Sequence, residues 1–488
     1  MVNIFSSVFS GSWGVERMTF PPGFMFGVST SASQIEGAWN IGGKTENIWD
    51  TLAHTRPDVV AGGVTPDVAC DSYHKWRRDI EMIEELGLDM YRFSISWTRI
   101  LPSGYPNYIN QAGVQYYSDL IDGLLEKGIQ PLVTLYHFDL PQSLQDLGGW
   151  ANPLVADWFA DYARVVYSFF ADRVKFWITI NESLAVCDTG YMELHAPFID
   201  DSMVGRYLCN KNVLLAHANA WRVYDEEFKP KYHGKVSLSS LTTWFEPKTP
   251  DDMEVAELES RYSHAIFSKK GGWPPRIEKL LAYNAKREGY SQPRLPPFTP
   301  QEIELVKGTY DFYGLNYYHT RLVRKAKSGE EPGSWLFYGS KELGAVFENH
   351  PDWGASDLDW LRVYPEGFRH LLHWINASYG GVDIMITENG YPSLDPGLND
   401  WNRLNYIKSH LEQVLLSISD GISVLGYNVW SLMDNFEWMG GYRVRFGLYA
   451  VDFSDPLRTR KPRESARYYA AVTRSRAVHP THDALNYL

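Results

Sequence analysis

The segment Val174–Ser183 reads VKFWITINES, and Val382–Gly390 reads VDIMITENG. Each is an apolar, β-branched run that ends by delivering a carboxylate, Glu182 in the first and Glu388 in the second. Two carboxyls at one locus can share the work of cleaving an acetal. One protonates the leaving oxygen while the other attacks the acetal carbon or activates water. A lone Glu at a strand end is more often a salt-bridged surface group, so the chemistry depends on whether the two strands meet.

Their setting is regular. Eight apolar runs read as strands: 24–34, 90–97, 130–138, 174–181, 235–244, 311–318, 382–389 and 424–432. Most are continuous rather than alternating, as expected for strands buried on both faces. Amphipathic stretches lie between them. Residues 73–87 place Trp76, Ile80, Ile83 and Leu86 on one stripe and stop at Gly87, and residues 116–128 place Leu120 and Leu124 likewise. Strict strand–helix alternation predicts parallel βαβ units, and eight of them predict a single closed (β/α)₈ barrel, an α/β fold. An open doubly wound sheet is the rival, but no GxGxxG follows the first strand. The domain is expected to span 20–480, with 1–19 an N-terminal extension. Residues 325–359, rich in Gly, Ser, Pro and Trp, read as a long loop after the sixth strand.

Barrel active sites lie at the C-terminal ends of the strands. There the sequence offers Gln34 and Glu36, Arg92, His137, Asn181 with Glu182, Asn316 with Tyr318, Glu388 with Asn389, and Trp430. Seven of eight strands end in groups suited to a ligand. Arg92 and Tyr318 are placed to hold Glu388 ionised, as a nucleophile requires. Glu182 lacks such a cation, so burial should raise its pKa, as a general acid requires. Glu182, His137 and Glu388 could be imagined around a metal, but no paired-His spacing supports one, and neither metal nor cofactor is expected.

Composition narrows the partners. A net charge of −13 without a run of basic residues argues against nucleic acid. No window of 18 apolar residues exists to span a membrane. The 18 Trp, 31 Tyr and 23 Phe exceed what packing alone usually asks for and suit ring-shaped ligands such as sugars. Three cysteines are too few for a disulfide framework and leave Cys187–Cys209 as one candidate bridge. The first 19 residues lack a basic start and a long apolar centre, so they read poorly as a signal peptide and leave the compartment open. The oligomeric state is equally open, a homodimer being one candidate.

Five longer motifs carry a resemblance: FMFGVSTSASQIEG at Phe24–Gly37, YRFSISW at Tyr91–Trp97, LQDLGGW at Leu144–Trp150, ITENG at Ile386–Gly390 and WSLMDNFEW at Trp430–Trp438. Together they resemble family 1 glycoside hydrolases, the retaining β-glucosidase family, most of all its insect members, from about Phe20 to Pro480. The resemblance implies Glu388 as nucleophile and Glu182 as acid/base. It implies Gln34, His137, Asn181, Glu437 and Trp438 as hydroxyl-binding groups, Trp430 as the pocket floor and Trp360 as a platform for the leaving group. Arg92, Asn316 and Tyr318 match the supports of the nucleophile. Phosphoglycosidase branches carry serine where this chain has Glu437, and lysine and tyrosine where it has Val444 and Phe446. The expected substrates are therefore unphosphorylated β-D-glucosides, with β-thioglucosides as the enzyme alternative. A sugar-binding barrel without catalysis is the non-enzyme alternative, disfavoured because both carboxylates are present.

Three residues depart from the family pattern: Ile180 and Ser183 in TINES where TFNEP is usual, and Phe138 in HFDLP where HWDLP is usual. A proline after Glu182 would hold that residue extended, so Ser183 is expected to loosen it, and Ser183→Pro to be tolerated if the backbone is already extended. Ser183 also completes an N-x-S sequon at Asn181, and a second lies at Asn376; the second is the better acceptor if the protein is secreted.

Overall fold

A computed structural model describes residues 19–261, 265–267, 270–333 and 339–481. The extension expected over 1–19 lies outside the described residues apart from Thr19. Eight parallel strands close a barrel: β1 (Met25–Ser29), β2 (Met90–Ser94), β3 (Gln130–Tyr136), β4 (Phe176–Asn181), β5 (Lys235–Leu241), β6 (Tyr313–Asn316), β7 (Ile384–Asn389) and β8 (Val424–Trp430). Each pairs with its sequence neighbours, and β8 pairs with β1 to close the ring. All eight fall inside the predicted runs, and they are buried along nearly their whole length. Continuous Val, Ile, Leu and aromatic runs are the pattern of strands with no solvent face.

Helices Ser72–Glu85, Gln111–Glu126, Val155–Phe170, Gly205–Val223, Pro365–Tyr379, Trp401–Ser419 and Glu464–Ser475 pack outside the barrel. Ile80 and Ile83 are buried as the stripe predicts, as are Leu120 and Leu124. Inside, Met90, Leu132, Ile178, Phe312 and Met385 form an apolar plug, with Met25, Phe176 and Leu425 against it. The buried polar groups Arg92, Asn181, Asn316 and Glu388 lie toward the C-terminal ends of the strands.

The stretch read as a long loop is only partly one. Thr320–Lys325, Ala345–Glu348 and Gly339–Ser340 join Trp244–Pro247 in a second, four-stranded sheet. Gly354–Ala355 and Arg362–Val363 pair in a further small one. Strands this short show no periodicity of their own, because a partner far away in sequence, as in Trp244↔Thr320, supplies the pairing. Residues 334–338 of that stretch lie outside the described residues.

Candidate active site

Both carboxylate-bearing strands slip register just before their functional end. Ile178 pairs with Ser237 and Asn181 with Ser239, which leaves one extra residue on β4. Ile386 pairs with Leu315 and Glu388 with Asn316, one extra residue on β7. A bulge bends its strand and re-aims the following side chain. Glu182 then turns into the left-handed region, at φ 50° and ψ 60°, as the cap of helix Ser183–Gly190. The extended backbone assumed for Ser183→Pro is therefore absent, and the reasoning attached to Ser183 fails on this geometry.

Arg92 lies beneath the mouth with no exposed surface. Its Nη1 donates to Glu388 Oε1 at 2.5 Å and its Nη2 to Asn181 Oδ1 at 2.7 Å. Tyr318 donates its hydroxyl to the other Glu388 oxygen at 2.6 Å. Charge-assisted bonds of this kind are short and strong. Asn316 Nδ2 donates to Glu182 Oε1 at 2.8 Å and to Asn181 Oδ1 at 3.0 Å. Its own Oδ1 accepts from Ser239 at 2.8 Å and from Thr387 at 2.7 Å, which fixes the orientation of the amide.

The two carboxyls therefore live in unlike surroundings. Burial, and next the charge of Glu388, raises the pKa of Glu182 well above the usual carboxylate range, against a lowering contribution from the Asn316 hydrogen bond. A third acid, Glu437, is pushed up to about 8 by burial and then by Glu388, with donors on Trp430 and Gln34 opposing. His137 is held neutral by burial and by nearby Arg92.

These groups open into a cavity of about 280 Å³. His137, Asn181, Glu182, Tyr318, Glu388, Trp430, Glu437, Trp438, Trp360 and Phe446 all line it. The His137 ring lies nearly parallel to Trp430, with centroids 5.6 Å apart, and Trp360 meets Tyr318 edge-on at 6.2 Å. Phe138 lines the wall and packs edge-on against Trp438. Ile180 is buried in the barrel wall and pairs with Tyr136.

Some expected end groups do not reach the cavity. Gln34 sits behind Glu437 on the short helix Ala32–Ile35, donating to Asn435 Oδ1 and the Phe436 carbonyl at 3.0 Å and to Glu437 Oε2 at 3.3 Å. Glu36 turns away altogether. It accepts from Arg99 at 2.9 Å and Tyr117 at 2.5 Å, because a helical turn follows β1 and rotates it outward. Asn389, offered as a donor to sugar, instead ties Tyr317, Tyr406 and Tyr427 together inside the wall. Sequence reasoning also missed His195, His319, Leu241, Leu358 and Met439, which line the cavity. Most come from loops, where no periodicity marks the residues that will turn inward.

Cys187 on helix Ser183–Gly190 and Cys209 on Gly205–Val223 form a disulfide, as the candidate pairing allowed. Among the described residues no group of three His, Cys, Asp or Glu is arranged to hold a metal, and no helix is long and apolar enough to cross a membrane.

Comparison with known proteins agrees with this geometry. The family model described as Glycosyl hydrolase family 1 matches residues 16–478. Myrosinase 1 of Brevicoryne brassicae is 45% identical over 461 residues, covering 93% of this chain and 98% of the relative. The solved structure of aphid myrosinase superposes with a TM-score of 0.90 at 44% identity, covering 95% of this chain and all of the other. A mutant rice β-glucosidase, solved in a covalent complex with Glc, superposes with a TM-score of 0.85 at 36% identity, covering 93% of this chain and 98% of the other. A carboxylate pair at the mouth of an eight-stranded barrel and a match along nearly the whole chain lead to one conclusion: the chain belongs to glycosyl hydrolase family 1, a glycoside hydrolase of the retaining β-glycosidase type.

Proposed function

We propose that the protein hydrolyses unphosphorylated β-D-glucosides with retention of configuration, Glu388 acting as nucleophile and Glu182 as acid/base. The observation that carries the assignment is the unequal support of the two acids. Glu388 receives a guanidinium and a phenol on its two oxygens, whereas Glu182 receives one neutral amide. In the first step a Glu388 oxygen bonds to the anomeric carbon, the glycosidic bond breaks, and the leaving oxygen takes the proton of Glu182. In the second, Glu182 removes a proton from water, whose oxygen displaces Glu388 and releases the sugar. Two inversions give net retention.

Trp430 and Trp438 offer ring faces to the C–H surface of a pyranose. His137 lines the cavity, with its Nε2 3.3 Å from Asn181 Nδ2. Glu437 can accept from the 4- and 6-hydroxyls. A 6-phosphate would enter a cavity lined by three carboxyls and no lysine or arginine among its described residues. β-Fucosides and β-galactosides follow as secondary substrates. The likeness to a myrosinase supports a second reading, cleavage of β-thioglucosides. Glu182 favours the first, since an alkoxide needs a proton to leave and a stabilised thiolate does not.

The test is covalent trapping. A 2-deoxy-2-fluoro β-glucoside with a good leaving group should inactivate the enzyme and label the peptide that contains Ile386–Gly390. A label on another peptide, or an active enzyme that takes no label, sinks the assignment.

A further inference from the structure

Tyr318 delivers its hydroxyl to Glu388 from a stretch of chain that belongs to neither sheet. Tyr317, Tyr318 and His319 lie between the end of β6 and the strand Thr320–Lys325 of the second sheet. The carbonyls of Tyr317 and Tyr318 are taken up by side chains from two other elements. Asn389, which ends β7, donates from Nδ2 to the first at 2.7 Å. Tyr406, on the helix Trp401–Ser419, donates its hydroxyl to the second at 2.7 Å.

The directions of these bonds follow from the groups themselves. A carbonyl only accepts, so the Asn389 atom that faces Tyr317 is the amide nitrogen, and Oδ1 is left to accept from the hydroxyl of Tyr427 at 2.5 Å. The same nitrogen donates to the Tyr406 oxygen at 2.9 Å, so Tyr406 directs its one proton to the Tyr318 carbonyl. A single chain of donors thus runs from Tyr427 on β8 through Asn389 and Tyr406 to the backbone of Tyr318. Asn389, Tyr406 and Tyr427 are all buried. Burial raises the pKa of both phenols well above the ordinary tyrosine value, so both keep the protons the chain needs. The Tyr406 ring is held in turn against His410, with centroids 3.8 Å apart. A buried network whose members satisfy one another rigidifies its surroundings, and loss of one hydroxyl strands its partners.

We infer that Tyr406 is a positioning residue for the nucleophile: its hydroxyl fixes the backbone of Tyr318 so that the Tyr318 phenol meets Glu388. Tyr406 itself is not among the residues that line the cavity. Its influence on the chemistry passes through Tyr318, which lines the cavity and donates to Glu388 Oε2 at 2.6 Å. The inference rests on the hydrolase reading above, with Glu388 as nucleophile.

The experiment is a double-mutant cycle read by kcat and KM for nitrophenyl β-glucoside. Tyr318→Phe removes the bond from phenol to carboxylate, and Tyr406→Phe removes the hydroxyl behind it. Tyr406→Phe alone should lower kcat about tenfold with KM nearly unchanged, the kind of loss a slight misplacement of a reacting group causes. In the Tyr318→Phe background the same substitution should cost almost nothing more, because the bond it supports is already gone. A merely structural role would instead cost the same factor in both backgrounds. Tyr427→Phe, which breaks the chain two bonds earlier, takes its place in the cycle should Tyr406→Phe misfold. Equal losses in the two backgrounds, or a folded variant of unchanged kcat, overturn the inference and leave the hydrolase reading intact. Absence of glucoside hydrolysis by the unaltered enzyme overturns both.

Discussion

Asn316 Nδ2 donates to Oε1 of Glu182 at 2.8 Å, and the amide cannot flip because its oxygen accepts from Ser239 and Thr387. A donor held on Oε1 leaves Oε2 as the oxygen that carries the proton of Glu182. Asn316→Ala should therefore lower kcat on substrates with poor leaving groups by about 10²-fold, toward the lower end of what general acid catalysis contributes. The hydrogen bond lowers the pKa of Glu182, so its loss should move the alkaline limb of the kcat/KM profile to higher pH. A limb that stays in place or moves down would show that Asn316 does not act through Glu182.

Arg92 and Glu388 form a buried pair. Removing one partner of such a pair typically costs about 3–5 kcal/mol, because the other charge is left uncompensated. Arg92→Met should lower Tm and abolish measurable glucoside hydrolysis together. Calorimetry and a nitrophenyl β-glucoside assay check both, and a variant of unchanged Tm would contradict the burial argument.

Glu437 supplies a pH dependence of stability. Its folded pKa of about 8 stands above the ordinary value of 4.5, so between these two pH values the folded state binds more protons than the unfolded one. Stability from this group is complete below about pH 4.5 and falls as pH rises toward 8. Asp139, pushed up to about 8 by burial, acts in the same direction. Tm should decline from about pH 5 to 8, and Glu437→Gln should flatten the slope. A slope unchanged in the variant would assign the effect elsewhere.

The same substitution tests sugar recognition. Fucose lacks the 6-hydroxyl, so Glu437→Gln should reduce kcat/KM for nitrophenyl β-glucoside more than for the β-fucoside. Equal losses would mean that Glu437 does not read the 6-position.

The disulfide joins Cys187 and Cys209, whose Cα atoms are 5.5 Å apart across 22 positions of sequence. A loop of that length implies a stabilisation of about 3 kcal/mol in the chain-entropy account. It ties the helix capped by Glu182 to Gly205–Val223, so the Cys187→Ala, Cys209→Ala double variant should show a lower Tm and a reduced kcat. Full activity with a lower Tm would confine the bridge to stability.

The barrel was legible in the sequence because its signals are local. β7 is a run of Ile, Met, Ile and Thr long enough to be a strand, and apolar continuity declares burial on both faces without reference to any partner. The two carboxylates could be singled out for the same reason, each sitting where such a run stops. Tertiary structure decided what depends on distant partners. Glu36 and Gln34 are two residues apart, yet one serves Arg99 and Tyr117 and the other backs Glu437, because the turn after β1 sends them to different neighbours. The bulges in β4 and β7 are defined only against neighbouring strands, β5 for the first and β6 and β8 for the second, so no single segment announces them. The apolar wall of Leu241, Leu358, Met439 and Val444 is scattered over about 200 residues and assembled only by closing the ring. Local runs specify elements through their own periodicity, whereas a cavity wall is a product of which loops the closed barrel brings face to face.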